Sequence, residues 1–436
     1  MPKPQKNVLL ISFDDAFSFW HYKTIFGAEL QTPNLDRICA ESTAFHAAYC
    51  QSPLCGPSRA SFMSGRTPHQ TRVFDNDTSV FEAVPPREMW PYRLKSAGYF
   101  CSSGGKVHHG FKPLQEEIHE VLYSDHRKGF RIDTKLREEF EQSRSGGNGG
   151  GISTTDPNDD GYYHDAQSAA SFVDFVGSYD GSAPFYREVG FYSPHSPFIT
   201  PHRFKEMYLV SAFQMPASWS EGFQNCAFSD VTVRKNFGLD NARKWKKSVR
   251  NYFSAVSHGD HHLGTVWDAL KASPYADNTM VVILTDHGHH LGERSRFGKS
   301  TLWEQSALVP FIIHDPERPE PRVVNDPVAL LDVGPTILDT LGLGAMEQCA
   351  GRSLRPVVEG GEADPERAVP TFNPIGSAIR KGRYRFIRYR DGSTELYDIE
   401  ADWWQQKLLG PDHPAYAGMA VAHRACCADY GAPAYA

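Results

Sequence analysis

The sequence predicts an α/β fold in which a large mixed, mostly parallel sheet is flanked by helices on both faces. Short apolar runs of strand length occur at residues 7–13, 280–284 and 309–313, and segments with helical spacing separate them. After about residue 365 the pattern changes to short strands joined by turns. We therefore expect a large domain over residues 1–364 and a small C-terminal α+β subdomain with an antiparallel sheet over residues 365–436.

The elements of the first half alternate between strands and helices. Residues 7–13 are apolar throughout and end at the pair Asp14-Asp15, as a buried parallel strand does. Thr32 is expected to be the N-cap of a helix over residues 32–42. Further elements are predicted as helices at residues 57–64, 90–97 and 165–176 and as strands at residues 99–102 and 185–191.

The second half contains the longest amphipathic pattern, at residues 247–270, which predicts a long helix. Residues 384–389 and 395–399, joined by a turn at Asp391-Gly392, predict an antiparallel hairpin. The glycine-rich stretch 146–151 predicts a flexible loop. The other elements predicted here are strands at 280–284 and 309–313 and a helix at 333–341.

The composition excludes several classes of protein. The chain has 436 residues, a formal net charge of −7, and 40% hydrophobic and 22% charged residues, which is typical of a globular protein. The acidic balance argues against nucleic acid or an anionic membrane as the main partner. We find no apolar run of about 18 residues and no signal-peptide pattern. The eight scattered cysteines predict reduced thiols, so we expect a cytoplasmic protein, and the sequence leaves a homo-oligomer open.

The segment Cys55-Gly56-Pro57-Ser58-Arg59 carries the strongest functional signal. Pro57 suits the first turn of a helix, so Cys55 is expected just before a helix N-terminus. Free backbone N–H groups there favour negative charge, and Arg59 adds a cation. The segment therefore predicts a site for a small anion built around a thiol.

Acidic residues follow two of the predicted strands. Asp14 and Asp15 come after the first strand, and Asp286 and His287 come after the strand at 280–284. Because ligands bind beyond the carboxyl ends of the strands in open α/β sheets, these side chains are expected at one rim. An oxygen-rich set of this kind suits Ca²⁺, with Mg²⁺ or Mn²⁺ as alternatives, better than Zn²⁺.

Cations and imidazoles complete the candidate site. Lys106, His108 and His109 lie together just after the predicted strand at 99–102, within the stretch GGKVHHG. His195 lies in a proline-rich loop, and Lys299 follows the second carboxylate strand.

The chain resembles the sulfatase family, a branch of the alkaline-phosphatase superfamily, in pieces that occur in family order along almost its whole length. Besides the Cys55 segment and the carboxylate pairs, these pieces are TPNLDRI, GGKVHHG, SPHSPF, TDHG, GKS, LLDVGPTILDTLG and ELYDIEAD. They look closest to the iduronate-2-sulfatase-like branch, whose GKxxH spacing selects His109, whereas the GKxH spacing of other sulfatases selects His108. The resemblance implies an alkaline-phosphatase-like fold and hydrolysis of small sulfate esters.

The resemblance also implies a modified residue and a metal. In the family the motif cysteine, here Cys55, is oxidised to formylglycine, so a formylglycine-generating or anaerobic maturation enzyme is an expected partner. The modified side chain would bind a divalent cation together with Asp14, Asp15, Asp286 and His287. One hydroxyl of the hydrated aldehyde would attack sulfur, and the other would lose its proton when sulfate is released.

The remaining roles implied by the resemblance belong to cations and imidazoles. A sulfate ester needs cations on its non-bridging oxygens, an acid for the leaving oxygen and a base to regenerate the nucleophile. Lys106 and Lys299 would bind the sulfate oxygens, and Arg59 the hydrated formylglycine. His195 would protonate the leaving oxygen, either alone or together with Lys299. The base would be His108 or His109, since the spacing leaves both open.

Two departures from the family pattern bear on the substrate. Ser193 stands where sulfatases often have lysine before Pro-His, and Trp403-Trp404 replaces the usual stretch after ELYD. Both changes argue against a uronate substrate, while aryl, alkyl, choline and sugar sulfates all remain candidates.

Other interpretations stay open at this point. The same superfamily fold and the same motifs are also compatible with a phosphonate or phosphate mono- or diesterase. A site that has lost its activity would instead make the chain a non-catalytic anion-binding protein. His258 and His262 are four residues apart, as in a zinc pair, but no HExxH pattern accompanies them. We expect instead that the neighbouring Asp260 is buried and supports the core.

Overall fold

The main sheet of the computed structural model has eight strands and is mostly parallel. The structure describes residues 5–109, 114–130, 151, 153–154 and 156–435. The eight strands are β1 (Asn7–Phe13), β2 (Thr43–Tyr49), β3 (Phe100–Gly105), β4 (Phe185–Gly190), β5 (Thr279–Thr285), β6 (Leu308–His314), β7 (Arg322–Val324) and β8 (Val328–Ala329). Across the sheet they run β7-β2-β6-β5-β1-β4-β3, with β8 also beside β2. Only β6 is antiparallel to its neighbours among these strands, which confirms the predicted mixed sheet.

The two central strands bring the predicted carboxylate pairs together. β1 and β5 are buried along their full length, as their apolar sequences predict. They pair in parallel, and Phe13 stands opposite Thr285 at their carboxyl ends. The next residues along each strand, Asp14 and Asp286, therefore emerge side by side at one rim of the sheet.

Helices cover both faces of the sheet. In β1, Leu9 and Ile11 pack into one apolar cluster, while Val8 and Leu10 pack into the other, as the alternation of a strand requires. The α-helices of the described residues are α1 (Pro33–Cys39), α2 (Cys55–Ser64), α3 (Pro68–Thr71), α4 (Val80–Ala83), α5 (Trp90–Ser96), α6 (Glu116–Leu122), α7 (His164–Ser178), α8 (His202–Glu206), α9 (Ala227–Thr232), α10 (Ala242–Ala272), α11 (Glu304–Ala307), α12 (Val333–Thr340), α13 (Arg355–Val358) and α14 (Pro414–Asp429). Helices α7 and α10 pack on the first face, and α5 and α12 on the second.

Short elements connect these helices and strands. Turns of 3₁₀ helix lie at Phe19–Tyr22, Pro86–Glu88, Pro157–Tyr162, Val210–Ala212, Ala217–Glu221, Ala276–Asn278, Glu293–Ser295 and Leu330–Asp332. Two-residue strands pair Ser153–Thr154 with Thr200–Pro201 and His290–Leu291 with Phe297–Gly298. Apart from Gly151, the glycine-rich stretch predicted to be a flexible loop lies outside the described residues.

Helix α1 is capped differently from the prediction. Thr32 makes no side-chain cap hydrogen bond. Instead the carboxylate of Asp260, on α10, accepts hydrogen bonds from the backbone N–H groups of Asn34 (3.1 Å) and Leu35 (2.7 Å). A carboxylate from a distant helix thus satisfies the free donors of α1, and Asp260 supports the core as expected.

Helix α2 starts two residues earlier than predicted. Leu54 is extended, and its carbonyl accepts the first helical hydrogen bond, from the N–H of Ser58 (2.9 Å). Pro57 is therefore the third helical residue, still within the turn where a missing N–H costs nothing. The helix ends where Gly65 adopts a left-handed conformation with φ of 73°.

The C-terminal subdomain contains a four-stranded antiparallel sheet, and the predicted hairpin forms its second half. The strands are β9 (Val369–Asn373), β10 (Gly376–Lys381), β11 (Tyr384–Tyr389) and β12 (Thr394–Asp398), in that order. Helix α14, which the sequence analysis did not predict, packs on this sheet through Met419 and Cys427. The exact division at residue 364 stays a prediction.

Within the described part of the chain, no helix combines the length and the apolar character that crossing a bilayer requires.

Candidate active site

Five of the predicted residues converge at the rim of the main sheet. Potential ligand atoms of Asp14, Asp15, Cys55, Asp286 and His287 all lie within 4.8 Å of one another, and all five side chains are buried. All five come from the ends of β1 and β5 and from the start of α2, which follows β2. The parallel order of these strands explains why residues so distant in the chain meet.

Cys55 lies at the centre of the site. Its Sγ is 3.5 Å from Oδ1 of Asp14, 3.3 Å from Nε2 of His287 and 2.8 Å from Nζ of Lys299. Burial raises the pKa of the thiol. The N–H of Gly56 donates to Oδ1 of Asn76 (2.8 Å), a contact that the sequence analysis did not predict because no spacing links the two residues.

Asp15 reaches the site through an unusual backbone conformation. Its φ is 64°, a left-handed value that aspartate tolerates better than most residues. The N–H of Asp15 donates to Oδ1 of Asp286 (3.1 Å), and the Tyr252 hydroxyl donates to the Asp15 carbonyl (2.5 Å). These bonds hold the turn after β1 so that both carboxylates of the pair enter the site.

The imidazole of His287 is oriented for a cation. Its Nδ1 donates to the carbonyl of Gly288 (3.0 Å), which selects the tautomer whose Nε2 can serve as a metal ligand. That nitrogen lies 3.2 Å from Oδ1 of Asp15. Oδ1 of Asp286 accepts the N–H of His287 (3.0 Å). Three carboxylates and one bare imidazole nitrogen facing one point make a donor set that fits a divalent cation.

Arg59 ties together the segments that carry the site. Its side chain is fully buried, and Nε donates to Oδ2 of Asp286 (3.0 Å). Nη1 donates to the carbonyls of Lys106 and Val107 (2.8 Å each), and Nη2 donates to the carbonyl of Phe13 (3.1 Å). The guanidinium fork thus links α2 to the ends of β1, β3 and β5.

Two lysines flank the thiol and the carboxylates. Nζ of Lys106 forms an ion pair with Oδ2 of Asp14, and Nζ of Lys299 lies 2.5 Å from Oδ1 of Asp15. Although burial favours protonation of both aspartates, Lys106 lowers the pKa of Asp14, and the charges of His195 and Lys299 lower that of Asp15. Asp15 raises the pKa of Lys299 against the effect of burial. The ammonium group of Lys299 is therefore charged, and both lysines lie against the carboxylates of the site.

His195 stands at the open side of the site. Its Nε2 is 4.0 Å from Oδ1 of Asp15, and its side chain is 22% exposed. Nδ1 lies 2.5 Å from the carbonyl of Ser196, so that nitrogen carries a proton. Any second proton is therefore held at Nε2, the atom that faces the site.

The two histidines that the sequence left as alternatives differ in their surroundings. Nε2 of His108 lies 2.8 Å from the hydroxyl of Tyr123, which donates to Glu188 (2.6 Å). Nδ1 of His109 is buried without a hydrogen-bond partner among the described residues. Burial lowers the pKa of His108 to about 3 and that of His109 to about 4. The charges of Lys106 and Arg59 also lower the pKa of His109 and those of Asp14 and Asp286 raise it, whereas Arg59 is the charge that lowers the pKa of His108.

A buried triad supports the loop of Lys299, and the sequence analysis missed it. Nδ1 of His290 lies 2.5 Å from Oε1 of Glu293, and its Nε2 lies 2.6 Å from Oγ1 of Thr301. The guanidinium of Arg296 donates to the carbonyl of Lys299 (3.1 Å from Nε). The sequence feature that could have indicated the His290–Glu293 pair is a carboxylate three residues after a histidine, between the TDHG and GKS motifs. No comparable spacing links His290 to Thr301.

The histidines on α10 do not extend the metal cluster. Nε2 of His258 lies 3.0 Å from Nε2 of His262, and both rings are buried. The Asp260 carboxylate between them in sequence caps α1. Among the described residues, the cluster around Cys55 is the group with the geometry of a metal site.

Comparisons with known proteins agree with this geometry. The family model described as Sulfatase matches residues 6–343. The model described as N-sulphoglucosamine sulphohydrolase, C-terminal, matches residues 292–415.

Individual proteins named as sulfatases are also similar to most of this chain. A sulfatase of Formosa agariphila is 31% identical over 420 residues, which cover 91% of this chain and 81% of that protein. The iduronate 2-sulfatase of Homo sapiens is 26% identical, with 90% and 76% covered. Among solved structures, the phosphonate monoester hydrolase of Agrobacterium radiobacter superposes with a TM-score of 0.78 at 21% identity, covering 98% of this chain and 96% of that one. At that identity the structural match supports the fold alone.

Proposed function

The chain belongs to the sulfatase family, and from this premise we propose that it hydrolyses sulfate monoesters with a nucleophile derived from Cys55. Membership of the family makes it a sulfuric ester hydrolase. The roles of individual residues, the modification and the metal are the proposal. The observation that carries it is the position of the Cys55 Sγ, in contact with Lys299 and within the cluster of carboxylates.

We propose that Asp14, Asp15, Asp286 and His287 hold a divalent cation together with the modified residue 55. The three carboxylates favour a hard ion, for which Ca²⁺ is our first choice and Mg²⁺ or Mn²⁺ are alternatives. Such an ion, with formylglycine hydrated at residue 55, supplies a hydroxyl nucleophile and charge stabilisation next to the sulfate.

The protein's own side chains bind the ester and move its protons. Lys106 and Lys299 bind the sulfate oxygens, because their ammonium groups flank residue 55 and form ion pairs with Asp14 and Asp15 at the site. His195 donates the proton on Nε2 to the leaving oxygen. His109 accepts the proton that must be lost when sulfate is released, since its Nδ1 is free and its lowered pKa keeps it neutral.

A maturation enzyme is part of the proposal, and mass spectrometry tests it. Conversion of cysteine to formylglycine lowers the mass of the intact chain by about 18 Da. We expect this change after expression with a formylglycine-generating or anaerobic maturation enzyme, and no change in Cys55→Ala.

Turnover gives the second test. The matured chain is expected to hydrolyse 4-nitrophenyl sulfate, and Cys55→Ala is expected to lose this activity while keeping its fold by circular dichroism. Activity retained in Cys55→Ala contradicts the proposed nucleophile.

A phosphonate or phosphate esterase is the second candidate, because the phosphonate monoester hydrolase has the same fold. The ratio of kcat/KM for 4-nitrophenyl sulfate to that for a phenyl phosphonate monoester separates the two. A preference of about tenfold or more for the phosphonate, equal to about 1.4 kcal/mol, overturns the sulfatase assignment.

A further inference from the structure

A strongly basic surface adjoins the candidate active site. Between residues 233 and 250 seven cations stand against one carboxylate, Asp240, although the whole chain has a net charge of −7. With two neighbouring cations from other segments, they form what we call the basic surface: Arg234, Lys235, Arg243, Lys244, Lys246, Lys247, Arg250, Lys205 and Arg296. Five of the seven are exposed, and Lys246 and Arg250 are half-buried. Arg296 is half-buried as well, and Lys205 is buried beneath the surface.

Neighbouring carboxylates do not neutralise this surface within the described residues. Burial and the charge of Arg250 lower the pKa of Lys205 to about 8. Burial and the charge of Arg234 lower the pKa of Arg296. Neither pKa is raised by an acidic neighbour, as it is for most paired cations. The positive potential of the surface is therefore open to a ligand.

The cations also oppose the folding of the helix that carries most of them. The first turn of α10 contains no acidic residue, and it includes Arg243 and Lys244. Cations at a helix N-terminus are unfavourable with the helix dipole, and like charges four residues apart, such as Arg243 and Lys247, repel each other. Buried side chains such as Trp245 stabilise α10 instead. Residues that work against local structure are commonly retained for binding.

Hydrogen bonds connect the basic surface to the nucleophile. The carbonyl of Arg234 accepts from Nη1 of Arg296 (2.7 Å), and Arg296 also donates to the carbonyl of Lys299. Nζ of Lys299 in turn contacts Cys55. Asn236 and Phe297 exchange two further bonds, of 2.9 and 2.8 Å, between the same segments. These bonds connect a segment of the basic surface to the loop of Lys299, the cation that we propose binds the sulfate.

We propose that the basic surface binds additional anionic groups of a multiply sulfated saccharide chain whose scissile sulfate lies at Cys55. This inference rests on the proposed function and names its substrate class. Charge complementarity favours a polyanion there, and it disfavours a cationic ester such as choline sulfate. The neutral leaving group of a small aryl sulfate gains nothing from this surface.

Binding of fluorescein-labelled dextran sulfate tests the inference by fluorescence anisotropy. The variant Arg243→Gln/Lys247→Gln removes two exposed cations of the surface. We expect it to weaken binding about fivefold at about 50 mM NaCl, and the difference to shrink at about 300 mM. The matched control is Arg318→Gln/Arg424→Gln, which removes two exposed cations elsewhere and should leave binding unchanged.

Activity assays connect the surface to catalysis. In the matured enzyme, dextran sulfate should inhibit hydrolysis of 4-nitrophenyl sulfate competitively, and the double variant should weaken this inhibition about fivefold with unchanged kcat/KM for the small ester.

Three outcomes contradict the inference. They are equal binding by the double variant and wild type, non-competitive inhibition, and binding of oligo-dT or of anionic lipid vesicles as tight as that of dextran sulfate. Absence of 4-nitrophenyl sulfate hydrolysis contradicts the proposed function instead, because the binding experiment does not need turnover.

Discussion

At the scale of single residues, the site combines buried carboxylates and buried cations, and either set would cost free energy to bury without the other. Asp14, Asp15 and Asp286 are buried within a few ångströms of one another, and three cations, Lys106, Lys299 and Arg59, offset their repulsion. Removing one charge of such a buried set leaves its partner uncompensated. Variants of these residues are therefore expected to affect both folding and activity, whereas the half-buried His195 can be changed without this cost.

His195→Ala is expected to slow hydrolysis according to the leaving group. Loss of a general acid should reduce kcat/KM by about 10²- to 10⁴-fold for an alkyl sulfate, whose alkoxide needs a proton. The effect on 4-nitrophenyl sulfate should be much smaller, because nitrophenolate leaves unprotonated. His202→Ala, at an exposed histidine, is the control. Equal losses on both esters would show that His195 does not act as the acid.

His109→Ala is expected to block the second half of the reaction. Without a base the sulfated enzyme should accumulate, so rapid-quench experiments should show a burst of alcohol followed by slow turnover. His108→Ala should show no burst, because that ring is already bonded to Tyr123. A burst in His108→Ala and none in His109→Ala reverses the assignment.

At the scale of elements, helix ends and loops place the chemistry. Cys55 is at the start of α2 and the carboxylates follow β1 and β5. The loop of Lys299 is fixed by the contacts of His290 with Glu293 and Thr301. These bonds hold the loop of Lys299, and the hydrogen bond from Arg59 to the carbonyl of Lys106 holds the segment of the other lysine.

Asp260→Ala is expected to destabilise the protein through α1. The carboxylate caps that helix and also bonds the side chain of Asn34 (3.0 Å), so its removal should lower the free energy of unfolding by about 1–3 kcal/mol. Asp268→Ala on the same helix is the control, because its surface ion pair with Arg37 should contribute less than about 1 kcal/mol. Urea denaturation measures both, and equal effects of the two variants contradict the capping role.

At the scale of the whole molecule, buried imidazoles make the fold sensitive to acid. Burial lowers the pKa of His108 to about 3 and those of His258 and His423 to about 4. An unfolded chain protonates these rings near pH 6.5. Below that pH the unfolded state therefore binds more protons than the folded state, and the stability present above pH 6.5 is lost as the pH falls.

The melting temperature should accordingly decrease between pH 7 and pH 5. Calorimetry at constant ionic strength measures this change, with a slope that reports the protons taken up on unfolding. His423→Gln removes one titrating ring far from the active site and should flatten the profile. A melting temperature that is constant over this range, or an unchanged slope in His423→Gln, contradicts the prediction.

Much of the fold could be predicted because apolar runs mark buried strands. β1, β5 and β6 were found in this way, since strands covered on both faces are apolar throughout. β2 was missed because TAFHAAY is rich in alanine and contains a histidine, and it becomes a strand by pairing with β6. α14 was missed for a similar reason: its apolar and polar residues show little helical separation, and contact with the antiparallel sheet stabilises it.

The sequence by itself determined the residue types of the site, since the motifs around Asp14, Cys55, Lys106, Asp286 and Lys299 are local and their chemistry does not depend on neighbours. It also determined that the carboxylates follow parallel strands and so share a rim. Tertiary structure alone decided how the surroundings of the two adjacent histidines differ, that Asp260 caps α1, and that Arg296 links the segment of Arg234 to the loop of Lys299. Each of these depends on contacts between segments far apart in the chain, and local pattern carries no information about which distant groups will meet.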